Sequence, residues 1–263
     1  MGFIGSKKSR LNYREYGSGS RVIFGFHGYG QNNDTFHPIK GAKLYSFDLP
    51  FHGQSSWENS NYPLSREWIN NAFTKFLKEN NIEKFSLLGF SLGCKFTQGI
   101  LLEFPDRVEN LYWIAPDGVY QNFWYMVATK FPGNYVYRLL ILSAPGILLI
   151  LSRLANKLGF IPDSAYKLSK SQLQDPEKRL RVYNTWMVTK KLSFSINTIN
   201  QLLNKYSIET NIFLGTKDKI IDGKKVKKRM SNAKKIHITQ MDRNHFNLLD
   251  DSLKSIEELV MQD

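Results

Sequence analysis

Short apolar runs alternate with amphipathic stretches over most of this chain, the rhythm of strands and helices in a mostly parallel sheet. Leu11–Tyr16 reads as an early strand turned by Gly17-Ser18-Gly19. Arg21–Phe26 reads as a buried strand, and Lys43–Phe47, Phe85–Leu88 and Leu111–Ala115 as further strands. A helix is expected from Ser65 toward Asn80, with Trp68, Ala72, Phe76 and Leu77 on one stripe and Ser65 placed to cap it. Another is expected over Leu92–Phe104. From Val119 to Tyr206 the rhythm stops, and the chain becomes aromatic, leucine-rich and helical in pattern. It resumes with strands at Asn211–Leu214 and Lys235–Ile238 and a helix after His245. The expectation is an α/β fold, a mostly parallel central sheet flanked by helices. The core spans 1–118 and 207–263, and a helical insertion spans 119–206.

Where the apolar run Phe85–Leu88 meets its helix stands Gly89-Phe90-Ser91-Leu92-Gly93. G-x-S-x-G at a strand-to-helix junction describes a sharp turn that lifts a serine hydroxyl clear of the backbone. Three fixed positions match by chance in roughly one chain of this length in ten, so the pattern needs partners. A serine is a poor nucleophile without a nearby base, and that base needs a carboxylate to hold its tautomer. In an open parallel sheet, residues following different strands meet at the strands' carboxyl ends. Suitable residues do follow several of them.

Four segments carry a resemblance. His27-Gly28-Tyr29-Gly30 resembles an oxyanion loop, and Asp48-Leu49-Pro50-Phe51-His52-Gly53-Gln54-Ser55 resembles a D-x-P-G-x-G-x-S segment, departing from it at Phe51 and His52. Leu214–Ile220 resembles an acid-bearing loop, and Asn244-His245-Phe246 a histidine loop. Together with the serine turn they resemble the α/β-hydrolase fold superfamily, in the order serine, acid, histidine. They are most similar to its small serine hydrolases with a helical cap between the sixth and seventh strands. The resemblance implies Ser91 as nucleophile, His245 as general base and then acid, and Asp218 as its orienting carboxylate. It also implies the backbone amides of Tyr29 and Leu92 as oxyanion donors, with His27, Gly28, Gly89 and Gly93 shaping the loops. A serine in this position argues against the branches that need a carboxylate nucleophile. No cofactor and no metal are expected.

Other candidates have plainer readings. Asp117, after the strand ending at Ala115, is the rival acid. Asp222 reads as a helix cap and Asp242 as a surface loop residue. His27 and His52 read as loop-shaping residues, and His237 as an ordinary strand position. Cys94, the single cysteine, excludes an internal disulfide framework and reads as a buried, inert thiol.

Composition adds one unusual property, a formal charge of +13. The cations are scattered and no nucleic-acid motif organises them, so no nucleic acid is expected. A basic surface leaves an anionic substrate or weak membrane-surface contact open. Met1–Ser6 fits a permissive N-acylation pattern and lacks the apolar core of a secretion signal, so the expectation is a cytoplasmic protein. The insertion holds Leu139–Leu142 and Ile147–Leu151, broken by Pro145-Gly146 and bracketed by Arg138 and Arg153. Burial, packing the insertion onto the core, is the first use expected of this run. Lining an acyl-chain pocket and docking on a membrane surface are the others.

The functional expectation is cleavage of a carboxylic ester or thioester of a small to medium, apolar substrate. Carbon–carbon bond hydrolysis or a lyase reaction by the same triad, a monoacyl-lipid hydrolase and a non-catalytic ligand-binding protein remain alternatives.

Overall fold

The computed structural model describes residues 1–121 and 123–262. Asn122 of the expected insertion and Asp263 of the expected core lie outside the described residues. Eight strands form one sheet in the order β1-β2-β4-β3-β5-β6-β7-β8. They are β1 (Gly2–Gly5), β2 (Arg10–Tyr16), β3 (Arg21–Phe26), β4 (Ala42–Phe47), β5 (Phe85–Phe90), β6 (Val108–Ile114), β7 (Glu209–Gly215) and β8 (Ile236–Met241). β1 and β2 are antiparallel, and every pairing from β4 to β8 is parallel. Strand order reverses between β3 and β5, which is where loops leaving the carboxyl ends part and open a crevice.

All six residues of β5 are buried, as expected for a central parallel strand covered on both faces. Phe24 in β3 is fully buried. It stacks on Phe85 at 4.5 Å and meets Tyr45, Phe47, Phe73 and Phe76 edge-on or tilted. Phe73 and Phe76 come from α1 (Arg66–Glu79), whose first turn is capped as its sequence predicts: the Ser65 hydroxyl accepts from the Trp68 amide at 3.1 Å. α2 (Gly93–Glu103) packs on β5, β3 and β6, and α10 (Leu248–Gln262) on β6 and β7.

Between β6 and β7 lie α3 (Phe123–Thr129), α4 (Gly133–Leu142), α5 (Pro145–Lys157), α6 (Asp163–Gln174), α7 (Pro176–Thr189) and α8 (Ile196–Lys205). Residues 121–190, with 59–63, form a second compact unit, and 191–206 group with the sheet. The expected insertion ran on to 206. α8 belongs to the sheet unit because its buried stripe, Ile196, Ile199 and Leu203, packs beside α2 and α9 (Gly223–Met230). The helical unit has its own interior of Ile141, Leu173, Tyr183 and Met187, flanked by Tyr137, Leu148, Leu149 and Trp186. The apolar run differs from its expected burial. α4 contributes only Ile141 to the buried set, and α5 contributes none.

Replacing Phe24 with alanine should lower unfolding stability by about 3–5 kcal/mol, since a buried ring is lost from a site ringed by rigid aromatics. Urea denaturation reads this, and a loss under about 1 kcal/mol would contradict the packing described.

Candidate active site

The serine turn is built by crowding. A Cβ on Gly93 would lie 1.9 Å from the Phe26 carbonyl oxygen, so the helix after Ser91 starts against β3 only because residue 93 has no side chain. A Cβ on Gly89 would meet the Cys94 backbone at 2.9–3.0 Å. Between them Ser91 takes φ +51, a left-handed conformation that costs a non-glycine residue about 1 kcal/mol or more. The turn is tied from β6: Ser91 N–H donates to Ile114 at 2.9 Å, and Asp117 N–H donates to the Ser91 carbonyl at 3.2 Å.

His245, in the loop after β8, joins the two ends of the sequence pattern. Its Nε2 lies 3.0 Å from Ser91 Oγ, and its Nδ1 lies 2.7 Å from Asp218 Oδ2. The imidazole is buried against Phe90, with the exposed Phe246 ring packed edge-on to it. Asp218 follows β7, and its other oxygen accepts from the Ile220 and Ile221 amides at 2.7 and 3.0 Å. The acid and histidine loops are laced together: the Thr216 and Lys217 amides donate to the Met241 and Arg243 carbonyls. Asp242, exposed, takes the Thr216 hydroxyl and the Lys217 amine, which matches its reading as a surface loop residue.

Asp117 is engaged elsewhere. Its Oδ2 lies 3.2 Å from the buried Lys95 amine, and its Oδ1 accepts from the Gly118 amide at 2.7 Å. Lys95, in the first turn of α2, was missed by sequence reading, because a lysine four residues past the serine carries no periodic signal of burial. Asp222 caps α9 through the Lys224 and Lys225 amides. Cys94 is buried, and burial pushes its thiol well up, so it is inert at neutral pH.

Two histidines shape the loop after β3. The Leu49 amide donates to His27 Nε2 at 3.1 Å, so Nδ1 carries the proton and donates to Gly28 O at 2.7 Å. Likewise the Gly30 amide donates to His52 Nε2 at 3.0 Å, and His52 Nδ1 donates to Pro50 O at 2.9 Å. Both rings are acceptors clamping 27–30 to 48–55, and neither is a base for Ser91. Gln31 completes the loop by accepting from the Gly28 amide at 2.9 Å, a role without a sequence signal. Phe51, where the family pattern has glycine, adopts φ +63, the conformation glycine takes at no cost. Buried Asp48 anchors the same loops through the Asn33 and Gln54 amides, and burial raises its carboxyl.

Tyr29 and Leu92 lie on the loops that leave β3 and β5, the strands either side of the switch point. Leu92 is the N-cap of α2, so its amide belongs to the donors an α-helix leaves unsatisfied at its start. Among the described residues no group of three or more His, Cys, Asp and Glu is set to hold a metal.

A family model described as alpha/beta hydrolase fold matches residues 21–251. The chain belongs to the alpha/beta hydrolase fold family. Solved hydrolases share its architecture at low identity. An esterase from Thermogutta terrifontis superposes with a TM-score of 0.70 at 12% identity, covering 99% of this chain and 97% of that one. A 2-hydroxy-6-oxo-6-phenylhexa-2,4-dienoate hydrolase from a Rhodococcus species gives 0.64 at 19%, covering 99% and 98%. Among curated proteins, a dihydrolipoyllysine-residue acetyltransferase component of an acetoin cleaving system from Cupriavidus necator is 27% identical over 114 residues, 41% of this chain and 30% of its own length. The chain thus spans about a third of the length of the curated relatives it matches.

Burial pushes the His27 pKa down to about 3, while the unfolded chain protonates histidine near 6.5. Between those values the unfolded state binds more protons, so stability falls as pH falls through the window, by up to about 1.4 kcal/mol per pH unit. In denaturant titrations from pH 7 to about pH 4.5, His27→Gln should flatten that slope by one proton's share. Equal slopes in the two proteins would contradict a neutral, acceptor His27.

Proposed function

We propose that this hydrolase cleaves a carboxylic ester or thioester through an acyl-enzyme on Ser91. The observation that carries the reading is the placement of one imidazole within hydrogen-bond reach of both Ser91 Oγ and the Asp218 carboxylate. Asp218 accepts from His245 Nδ1–H, which leaves Nε2 with its lone pair toward the serine hydroxyl. As Ser91 Oγ attacks the substrate carbonyl carbon, its proton passes to Nε2 and the carbonyl oxygen becomes an oxyanion. The amides of Tyr29 and Leu92 donate to that oxygen, and the start of α2 adds positive dipole there. The intermediate collapses, the bond to the leaving group breaks, and His245 returns the proton to the departing oxygen or sulfur. Water then repeats the sequence on the acyl-enzyme, with His245 as base, and releases the acid.

The contacts of Asp117, held by Lys95 and the Gly118 amide, support Asp218 over it as the orienting acid. The substrate is read as a small to medium, largely apolar acyl compound.

With p-nitrophenyl esters, Ser91→Ala and His245→Ala should each lower kcat by about 10⁴-fold or more while the melting midpoint is retained. Asp218→Asn should approach that loss, and Asp117→Asn should stay within about tenfold of the unmodified protein. Comparable losses for the two aspartates would assign the wrong acid, and full activity of Ser91→Ala would end the proposal.

A further inference from the structure

The helical unit wears apolar side chains on its outside. Along α5 and its C-cap, Ile147, Ile150, Leu154 and Leu158 recur at spacings of three and four, and each is more than half exposed. At 100° per residue they form one stripe about 80° wide. The opposite side of the helix, Leu148 and Leu149, faces the unit's interior. α4 repeats the arrangement: Ile141 and Tyr137 turn inward, while Tyr135, Val136 and Leu139 are more than half exposed. Phe131 and Phe160, just outside the two helices, are 81% and 69% exposed. Isolated surface leucines are ordinary, but two successive helices with apolar residues on both faces are not.

Charge identifies the occupant. From Gly118 to Pro162 the chain has no Asp or Glu, yet it has Lys130, Arg138, Arg153 and Lys157. Residues 121–190 hold ten Lys and Arg against three Asp and Glu, so this unit carries +7 of the whole chain's +13. Arg153 and Lys157 are exposed and flank the α5 stripe at helical spacing. A second copy of the chain would bring like charges around the same apolar face, which opposes self-association. An anionic bilayer supplies both the apolar layer for the stripe and the negative headgroups for its rim.

Depth follows from length. No described helix is long and apolar enough to cross a membrane by itself, and α4 and α5 turn 110° against each other across Ser143-Ala144. At 1.5 Å per residue they measure about 15 and 20 Å, short of the roughly 30 Å hydrocarbon core. We propose that the outer faces of α4 and α5 form an interfacial docking surface for anionic lipid bilayers, lying in the headgroup region with Arg153 and Lys157 on phospholipid phosphates.

Co-sedimentation with phosphatidylcholine vesicles, with and without phosphatidylserine, tests this without any substrate. The intact protein should pellet with phosphatidylserine vesicles at low salt, and should release as salt rises. Ile150→Asp combined with Leu154→Asp, and separately Arg153→Glu combined with Lys157→Glu, should each weaken binding by about tenfold or more. Both pairs sit at exposed positions, so unchanged melting midpoints and unchanged turnover of a short soluble ester control for folding. Ser91→Ala should bind vesicles as well as the unmodified protein, which separates this surface from the proposed chemistry. The proposal is overturned if the protein stays in the supernatant, if binding ignores phosphatidylserine, or if both pairs bind normally. It is equally overturned if sedimentation equilibrium shows a dimer that the aspartate pair dissolves, because the face would then belong to a second copy.

Discussion

Ser91 is presented where a helix starts against a strand with no room for a side chain. The Phe26 carbonyl occupies the space a Cβ on Gly93 would need, and Ser91 accepts a left-handed backbone to make the turn. Such strain persists only where the surroundings over-determine it. Here β5 is buried on both faces, Ile114 holds the Ser91 amide, and Asp117 holds its carbonyl. A looser junction would let the chain relax into an ordinary turn, and the hydroxyl would leave its 3.0 Å approach to His245.

The same economy governs the histidines. His245, His27 and His52 are all buried, yet their partners divide their work. Carboxylate on one nitrogen and hydroxyl on the other suit His245 to proton transfer. Backbone N–H donors on Nε2 commit His27 and His52 to the acceptor role, so they lock the loop carrying Tyr29 rather than serve chemistry. Residue type alone does not distinguish these histidines; the hydrogen-bond partner does.

Much of this was legible in the sequence because the core strands are continuous apolar runs, and because the candidate residues stand directly after strands. Arg21–Phe26 reads as a strand with the bounds it has, and the Ser65 cap is visible from residue type and the stripe that follows. β1 was missed because four residues with glycine at each end carry no strand signal, although Ile4 is buried. α9 was legible only through its cap, Asp222, because Gly223–Met230 is mostly lysine and arginine and buries only Val226 and Met230. Periodicity says that a helix has a buried face but not what covers it. That is why α8 read as one more helix of the insertion, and why burial stood first among the three uses expected of the run that carries α5's outward stripe.

The central claim is that Ser91 is a nucleophile activated by His245, and covalent trapping tests it most directly. A fluorophosphonate should add one phosphonyl group to the folded protein, fluoride should leave, and peptide mass spectrometry should find the adduct on Ser91. His245→Ala should slow labelling sharply while leaving the fold intact. A folded protein that resists the reagent, or carries it on another residue, would contradict the account.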